Sequence, residues 1–208
     1  MRACIGYTEA VGSFAMMIPR LLKLVSFALS AFAAITLAQD ARAPLSLKGL
    51  DGKPVEVLAT EGKKAVVLFF VSPYCPTSNN FGPEMKGIED DFAADFAFRY
   101  LHSDSSVKAA DILQHASMMG FESPVLDDTA QVLAKKLGAK ITPEVIVLDP
   151  AGTLLYQGRL NDLYLGPTKR QREVKVHDLR DALAAIKAGV PVPTPRTEAV
   201  GCKITGVE

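Results

Sequence analysis

The sequence predicts an α/β domain with a mixed central sheet flanked by helices, and three observations predict it. Apolar runs of strand length alternate with amphipathic stretches of helix length as far as residue 137. Turn chemistry at Asp149-Pro150-Ala151-Gly152 then marks a closing antiparallel pair. One more amphipathic segment, Asp178 to Ala188, follows and is stopped by Gly189.

Taken in order, residues 45–59 (LSLKGLDGKPVEVLA) read as an N-terminal hairpin turning at Asp51-Gly52. Ala65 to Val71 is an uninterrupted apolar run, the pattern of a strand buried on both faces. Asn80 to Phe92 is expected to be a helix, Ala97 to Leu101 a second core strand, and Val107 to Met118 a helix ending at Gly120. Thr129 to Leu137 reads as a further helix with Gly138 as its stop. Glu144 to Leu148 and Thr153 to Arg159 are the two strands of the closing pair. Residues 160–175 read as a loop carrying Lys169, Arg170 and Arg172, a solvated basic surface with partner docking as the alternative.

The N-terminus belongs to a different physical class. Leu24 to Ala38 is a 15-residue apolar run preceded by Arg20 and Lys23, shorter than the ~20 residues a membrane span needs. It reads as the core of a secretory signal, residues 1–43, with small residues placed for cleavage near 38 or 43. Translation starting at Met16 or Met17 would give a leader of more ordinary length. The expected location is therefore exported, periplasmic or extracytoplasmic. An uncleaved anchor is the alternative, and the one circumstance in which a membrane becomes a partner.

The 208 residues carry no net charge, with 49% hydrophobic and 22% charged residues. That balance suits one globular domain and offers no electrostatic footprint for nucleic acid. Removal of the leader takes Cys4 with it and leaves Cys75 and Cys202. In an oxidising compartment two cysteines pair as a structural staple or work as a redox couple, and spacing does not choose between these.

Cys75 stands where an apolar strand gives way to a helix, with Pro76 behind it. Unpaired N–H groups and the positive end of the helix dipole favour thiolate over thiol there, and Pro76 costs no helical hydrogen bond. Thr77 and Ser78 bring hydroxyls near the sulfur. The bland alternative is an inert, buried small residue at a turn. Pro143, after Thr142, precedes a core strand, where proline either opens the strand in trans or closes a loop in cis. His102, His115 and His177 show no ligand-like spacing, so no metal is expected.

Strand, cysteine-led helix, strand, helix, Thr-Pro and hairpin form an order that resembles the thioredoxin fold. The chain is similar to the redoxin branch of that fold, the alkyl hydroperoxide reductase and thiol-specific antioxidant family. Its nearest resemblance is to exported members with Cys-Pro-x-x-Asn followed by Pro-Glu, here Cys75-Pro76-Thr77-Ser78-Asn79 and Pro83-Glu84. The resemblance implies a redoxin domain over residues 44–190, with the hairpin as its extension, and a tail, 191–208, carrying Cys202. It implies Cys75 as the attacking cysteine, Pro143 as a cis-proline against the sulfur, and Ser72 at the place of a peroxide-binding hydroxyl.

Departures from the family accompany these matches. Leu68 stands where a proline is usual, no arginine equivalent is apparent, and Ser78 replaces the second cysteine of a dithiol motif. The implied activity is an exported, cofactor-free thiol oxidoreductase of peroxiredoxin-like type. Its substrate is a peroxide or a protein disulfide, and an external thiol is its reductant. Cys202, on a tail reaching at most ~45 Å from Gly189, is the candidate resolving partner. The alternative function is a non-catalytic binding module with a structural Cys75–Cys202 disulfide.

Overall fold

The computed structural model describes residues 45–207. The expected leader, with Cys4 and both cleavage positions, lies outside them. Seven strands form one sheet: β1 (Ser46–Gly49), β2 (Pro54–Glu56), β3 (Ala65–Phe70), β4 (Phe96–His102), β5 (Val125–Asp127), β7 (Glu144–Leu148) and β8 (Leu154–Gly158). Their order is β2-β1-β5-β4-β3-β7-β8. Strands β3, β4 and β5 are parallel, while β7, β8, β1 and β2 each join antiparallel to a neighbour.

The unbroken apolar run of β3 is explained by its surroundings, since all six residues are buried. Alternate side chains feed opposite faces. Val67 and Phe69 join Phe98, Tyr100, Val145 and Val147 on one face. Val66, Leu68 and Phe70 join Ala97, Leu101, Ile146 and Leu148 on the other. Helices α2 (Gly82–Phe92), α3 (Ala109–Met119) and α5 (Asp178–Ala188) cover the first face through Met85, Ile88, Ile112, Leu179 and Leu183. Helix α4 (Val132–Leu137) covers the second with Leu133 and Ala134, and Ile204 of the C-terminal tail packs there too. Truncating a central residue such as Leu68 to alanine would cost roughly 2–5 kcal/mol through lost burial and the cavity left.

Several boundaries differ from the sequence expectation for local reasons. The helix expected from Asn80 is two: α1 (Pro76–Asn80) and α2, separated by Phe81. Pro83 explains the restart, because proline is tolerated only in a first turn. Helix α4 begins at Val132 rather than Thr129, since Gln131 adopts a left-handed φ of 63° and Asp128 caps the N–H groups of Leu133 and Ala134. Strand β5 was not anticipated; three residues are too few to show a period.

The stretch expected as a basic loop instead forms a small hairpin of β9 (Tyr164–Gly166) and β10 (Lys169–Arg170). Lys169 and Arg170 are exposed on it. The pairing rests on backbone hydrogen bonds that the charged side chains do not announce. Two further short strands, β6 (Ile141–Thr142) and β11 (Cys202–Lys203), pair with each other antiparallel. No helix among the described residues is long and apolar enough to cross a membrane.

Candidate active site

Strand β3 ends at a turn that presents Cys75. The Cys75 N–H donates to the Ser72 carbonyl at 3.2 Å, and Cys75, in extended conformation (φ −98°, ψ 108°), caps α1. The Ser78 backbone N–H donates to Cys75 Sγ at 3.4 Å. The thiol in turn donates to the Thr142 carbonyl at 2.9 Å. Cys75 is 1% exposed.

Thr142 connects the two halves of the site. The peptide bond between Thr142 and Pro143 is cis. Glu144 shapes the preceding loop, its carboxylate accepting from the N–H groups of Lys140 (2.8 Å) and Ile141 (3.2 Å) and from Gln157 Nε2 (2.9 Å). On its outer side β6 pairs with β11, so Cys202 stands opposite Thr142 and Lys203 opposite Ile141. A Cβ on Gly201 would lie 2.1 Å from the Thr142 oxygen, so glycine is what lets the tail approach this closely.

That register brings Cys202, partly exposed, beside Cys75, and both are free thiols. Burial, then hydrogen bonding to Cys75, push the Cys202 thiol up to about 12. The tail that carries it is anchored on both sides. Upstream, the Pro195 carbonyl accepts from Gln157 N of β8 and Thr197 N donates to the Gln157 carbonyl, both at 3.0 Å, while Thr197 Oγ1 accepts from Arg159 N at 3.0 Å. Downstream, Ile204 is buried, its N–H donates to Lys140 O at 2.9 Å, and the Thr205 carbonyl accepts from Ser105 and Gln131.

A buried polar chain supports the Cys75 loop from behind. Asn79 Nδ2 donates to the Pro73 carbonyl at 3.1 Å, and its backbone N–H donates to the Cys75 carbonyl at 3.0 Å. Its Oδ1 is therefore the acceptor of His115 Nε2–H at 2.9 Å. A neutral His115 then accepts at Nδ1 from His102 Nε2–H at 2.8 Å. His102 Nδ1 is left as a buried acceptor without a partner. Burial lowers His115 to about 4, and burial together with the neighbouring His115 lowers His102 to about 3, which keeps both rings uncharged at neutral pH.

Residues 62–154 match the protein-family model described as Thioredoxin-like. The fold is thioredoxin-like. Solved structures agree with this. A hypothetical protein from Sinorhizobium meliloti is 24% identical, with TM-score 0.69 over 78% of this chain and 90% of its own. An uncharacterised conserved protein from Geobacillus kaustophilus is 24% identical, with TM-score 0.67 over 78% and 88%. A secreted disulfide oxidoreductase from Mycobacterium tuberculosis, homologous to Escherichia coli DsbE, is 16% identical, with TM-score 0.51 over 68% and 96%. No curated protein sequence matches the chain.

Within this thioredoxin-like domain the residues singled out in the sequence fall into two groups. Cys75, Pro76, Ser78, Asn79, Thr142, Pro143 and Cys202 converge on one spot. Ser72 lies in the turn before Cys75 and Thr77 in the first turn of α1, but no hydrogen bond among the described residues joins either hydroxyl to the sulfur. The donor to Cys75 is a backbone N–H, while the Ser78 hydroxyl accepts from Ser72 N at 3.3 Å and that of Ser72 from Tyr74 N at 3.3 Å. Sequence reasoning weighed His102 and His115 only as metal ligands; nothing in their spacing points to Asn79. The role of Gly201 likewise has no sequence signal, because a close approach of two backbones leaves no local pattern. Among the described residues no group of three or more His, Cys, Asp or Glu converges to hold a metal.

Proposed function

We propose that this chain is an exported thiol-dependent oxidoreductase whose working unit is the Cys75/Cys202 pair. The observation that carries the reading is the β6–β11 register, which sets Cys202 against Cys75 at the N-terminus of α1. The Cys75 thiolate attacks one sulfur of a substrate disulfide, forming a mixed disulfide and releasing the other half as thiolate. Cys202, deprotonated as it reacts, attacks Cys75 Sγ, closes the intramolecular disulfide and expels the second thiolate. Two external thiols then restore the dithiol and leave as their own disulfide. No cofactor enters.

Disulfide exchange suits the site better than peroxide chemistry, because the buried arginine of the sheet is already engaged. Arg99 bonds to the carbonyls of Phe98 and Ala59 and to Glu61. The second reading, hydroperoxide reduction as in the redoxin branch, is favoured by the 1% exposure of Cys75, which suits a small substrate. Cys75 would take one peroxide oxygen as sulfenic acid and release an alcohol, and Cys202 would condense with it, releasing water. In that reading Ser72, whose hydroxyl proton has no acceptor among the described residues, orients the peroxide. The apolar leader expected at residues 1–43 supports export.

Stopped-flow mixing of reduced protein with a model disulfide and with hydrogen peroxide tests the reading, with non-reduced peptide mass spectrometry as readout. Faster reaction than free cysteine, ending in a Cys75–Cys202 link, is the expected result. A link that forms while neither oxidant reacts faster than free cysteine would instead indicate a binding module with a structural disulfide.

A further inference from the structure

We infer that residues 201–203 form a strap that fills the backbone edge a polypeptide disulfide would need, and so reserve Cys75 for small oxidants. The inference rests on the thiol chemistry proposed above and names the substrate class it serves.

The edge beside the reactive sulfur is Ile141–Thr142, since Thr142 O is the acceptor of the Cys75 thiol. An extended chain presenting a cysteine to Cys75 gains backbone hydrogen bonds only by pairing with that edge, as strand addition does elsewhere. The edge is already taken. Residues Cys202–Lys203 pair with it antiparallel, with a cysteine opposite Thr142. Gly201 lies so close to the Thr142 carbonyl and to Pro143 Cδ that no second chain fits between them. The strap is thus an internal copy of the complex a polypeptide substrate would make.

The strap is also fastened. Ile204 is buried in the second core face beside Leu133 and Ala134, and Thr205 is held by Ser105 and Gln131. Gly206 follows at φ +89°, with side-chain atoms of Gln131 and Ser105 2.9 Å from where a Cβ would stand. A tethered segment competes at an effective concentration in the millimolar range. A dissolved polypeptide at micromolar concentration therefore loses to it. A small disulfide or hydroperoxide forms no strand and needs only passing access to one sulfur.

The test compares reduced wild-type protein with Ile204→Ser and Gly206→Val, two strap anchors outside the reacting groups. Each is mixed with bis(2-hydroxyethyl) disulfide and with insulin. Wild type is expected to reduce the small disulfide and to act on insulin at least ~100-fold more slowly. Rates are those of the first attack by Cys75, read as the first thiol released per protein: the variants are expected to raise the insulin rate by about 10-fold or more while changing the small-disulfide rate by less than about 3-fold. Equal rates on both substrates in wild type would overturn the strap, as would variants that leave insulin excluded. Failure of both substrates to react faster with the protein than with free cysteine would instead remove the underlying thiol reading. Gly206→Val, on an exposed turn, carries the test if Ile204→Ser fails to fold.

Discussion

Cys202 lies opposite Thr142 in the β6–β11 ladder, and the carbonyl of that same Thr142 accepts the thiol of Cys75. One backbone residue thus sets the position of both cysteines. Their proximity does not depend on a flexible tail finding its target. It is as well determined as the strand pairing itself, and the roles of the two sulfurs follow from their different surroundings.

Replacing each cysteine separates those roles. Cys75→Ser is expected to abolish reaction with either oxidant, because the sulfur at the α1 N-terminus is gone. Cys202→Ser is expected to keep a single stoichiometric reaction and then stall with a mixed disulfide or sulfenic acid at Cys75. Turnover should fall by about 100-fold or more, as resolution becomes bimolecular. Equal turnover in Cys202→Ser and wild type, measured with excess external thiol, would remove Cys202 from the mechanism.

The Cys202 thiol is held up to about 12 by burial and by Cys75. Its alkylation rate in reduced protein should therefore still rise steeply at pH 10, where an ordinary thiol has nearly levelled off. Peptide mapping after iodoacetamide pulses between pH 7 and 10 reads this directly. A plateau by pH 10 would contradict the buried environment.

The histidine pair predicts a specific acid sensitivity. Both rings have folded values lowered below 6.5, to about 4 and about 3, so the unfolded chain binds more protons below pH 6.5. Their contribution is fully present above 6.5 and is lost as pH falls from 6.5 through about 4 for His115 and about 3 for His102. For His115 alone, the difference between 6.5 and about 4 corresponds to roughly 3 kcal/mol. Urea denaturation at pH 7 and pH 4.5 should show a smaller acid loss in His115→Gln than in wild type. Parallel losses would mean that the pair is not the acid-sensitive element.

His115 also predicts an effect on Cys75 that burial alone would not produce. His115→Leu removes the donor to Asn79 Oδ1, and Asn79 then holds the Pro73 carbonyl less firmly. The expected result is slower Cys75 reaction, by about 10-fold for a lost interaction of ~1.4 kcal/mol. Glutamine places an N–H near the same spot and should restore most of the rate. Equal slowing in both variants, at matched stability, would reduce His115 to a packing role.

Much of the fold was legible in local pattern. The run from Ala65 to Val71, the turn at Asp149–Gly152 and the glycine stop at Gly189 each state their structure within a few residues. Strands β5, β6 and β11 were not legible, because two or three residues carry no period and form only against an existing edge. The division of α1 from α2 is intermediate: Pro83 marks it, but Asn80 to Phe92 also reads as one amphipathic stretch.

By itself the sequence determined an α/β domain and a cysteine at its strand-to-helix junction, because hydrophobic period and turn chemistry act between near neighbours. It also supplied the second cysteine without saying where that residue goes. Only the tertiary structure decided that Cys202 returns to Thr142, that Gly201 permits the approach, and that His102 and His115 brace Asn79. Those contacts join residues far apart in the chain, and they exist only once the sheet has brought separate elements together.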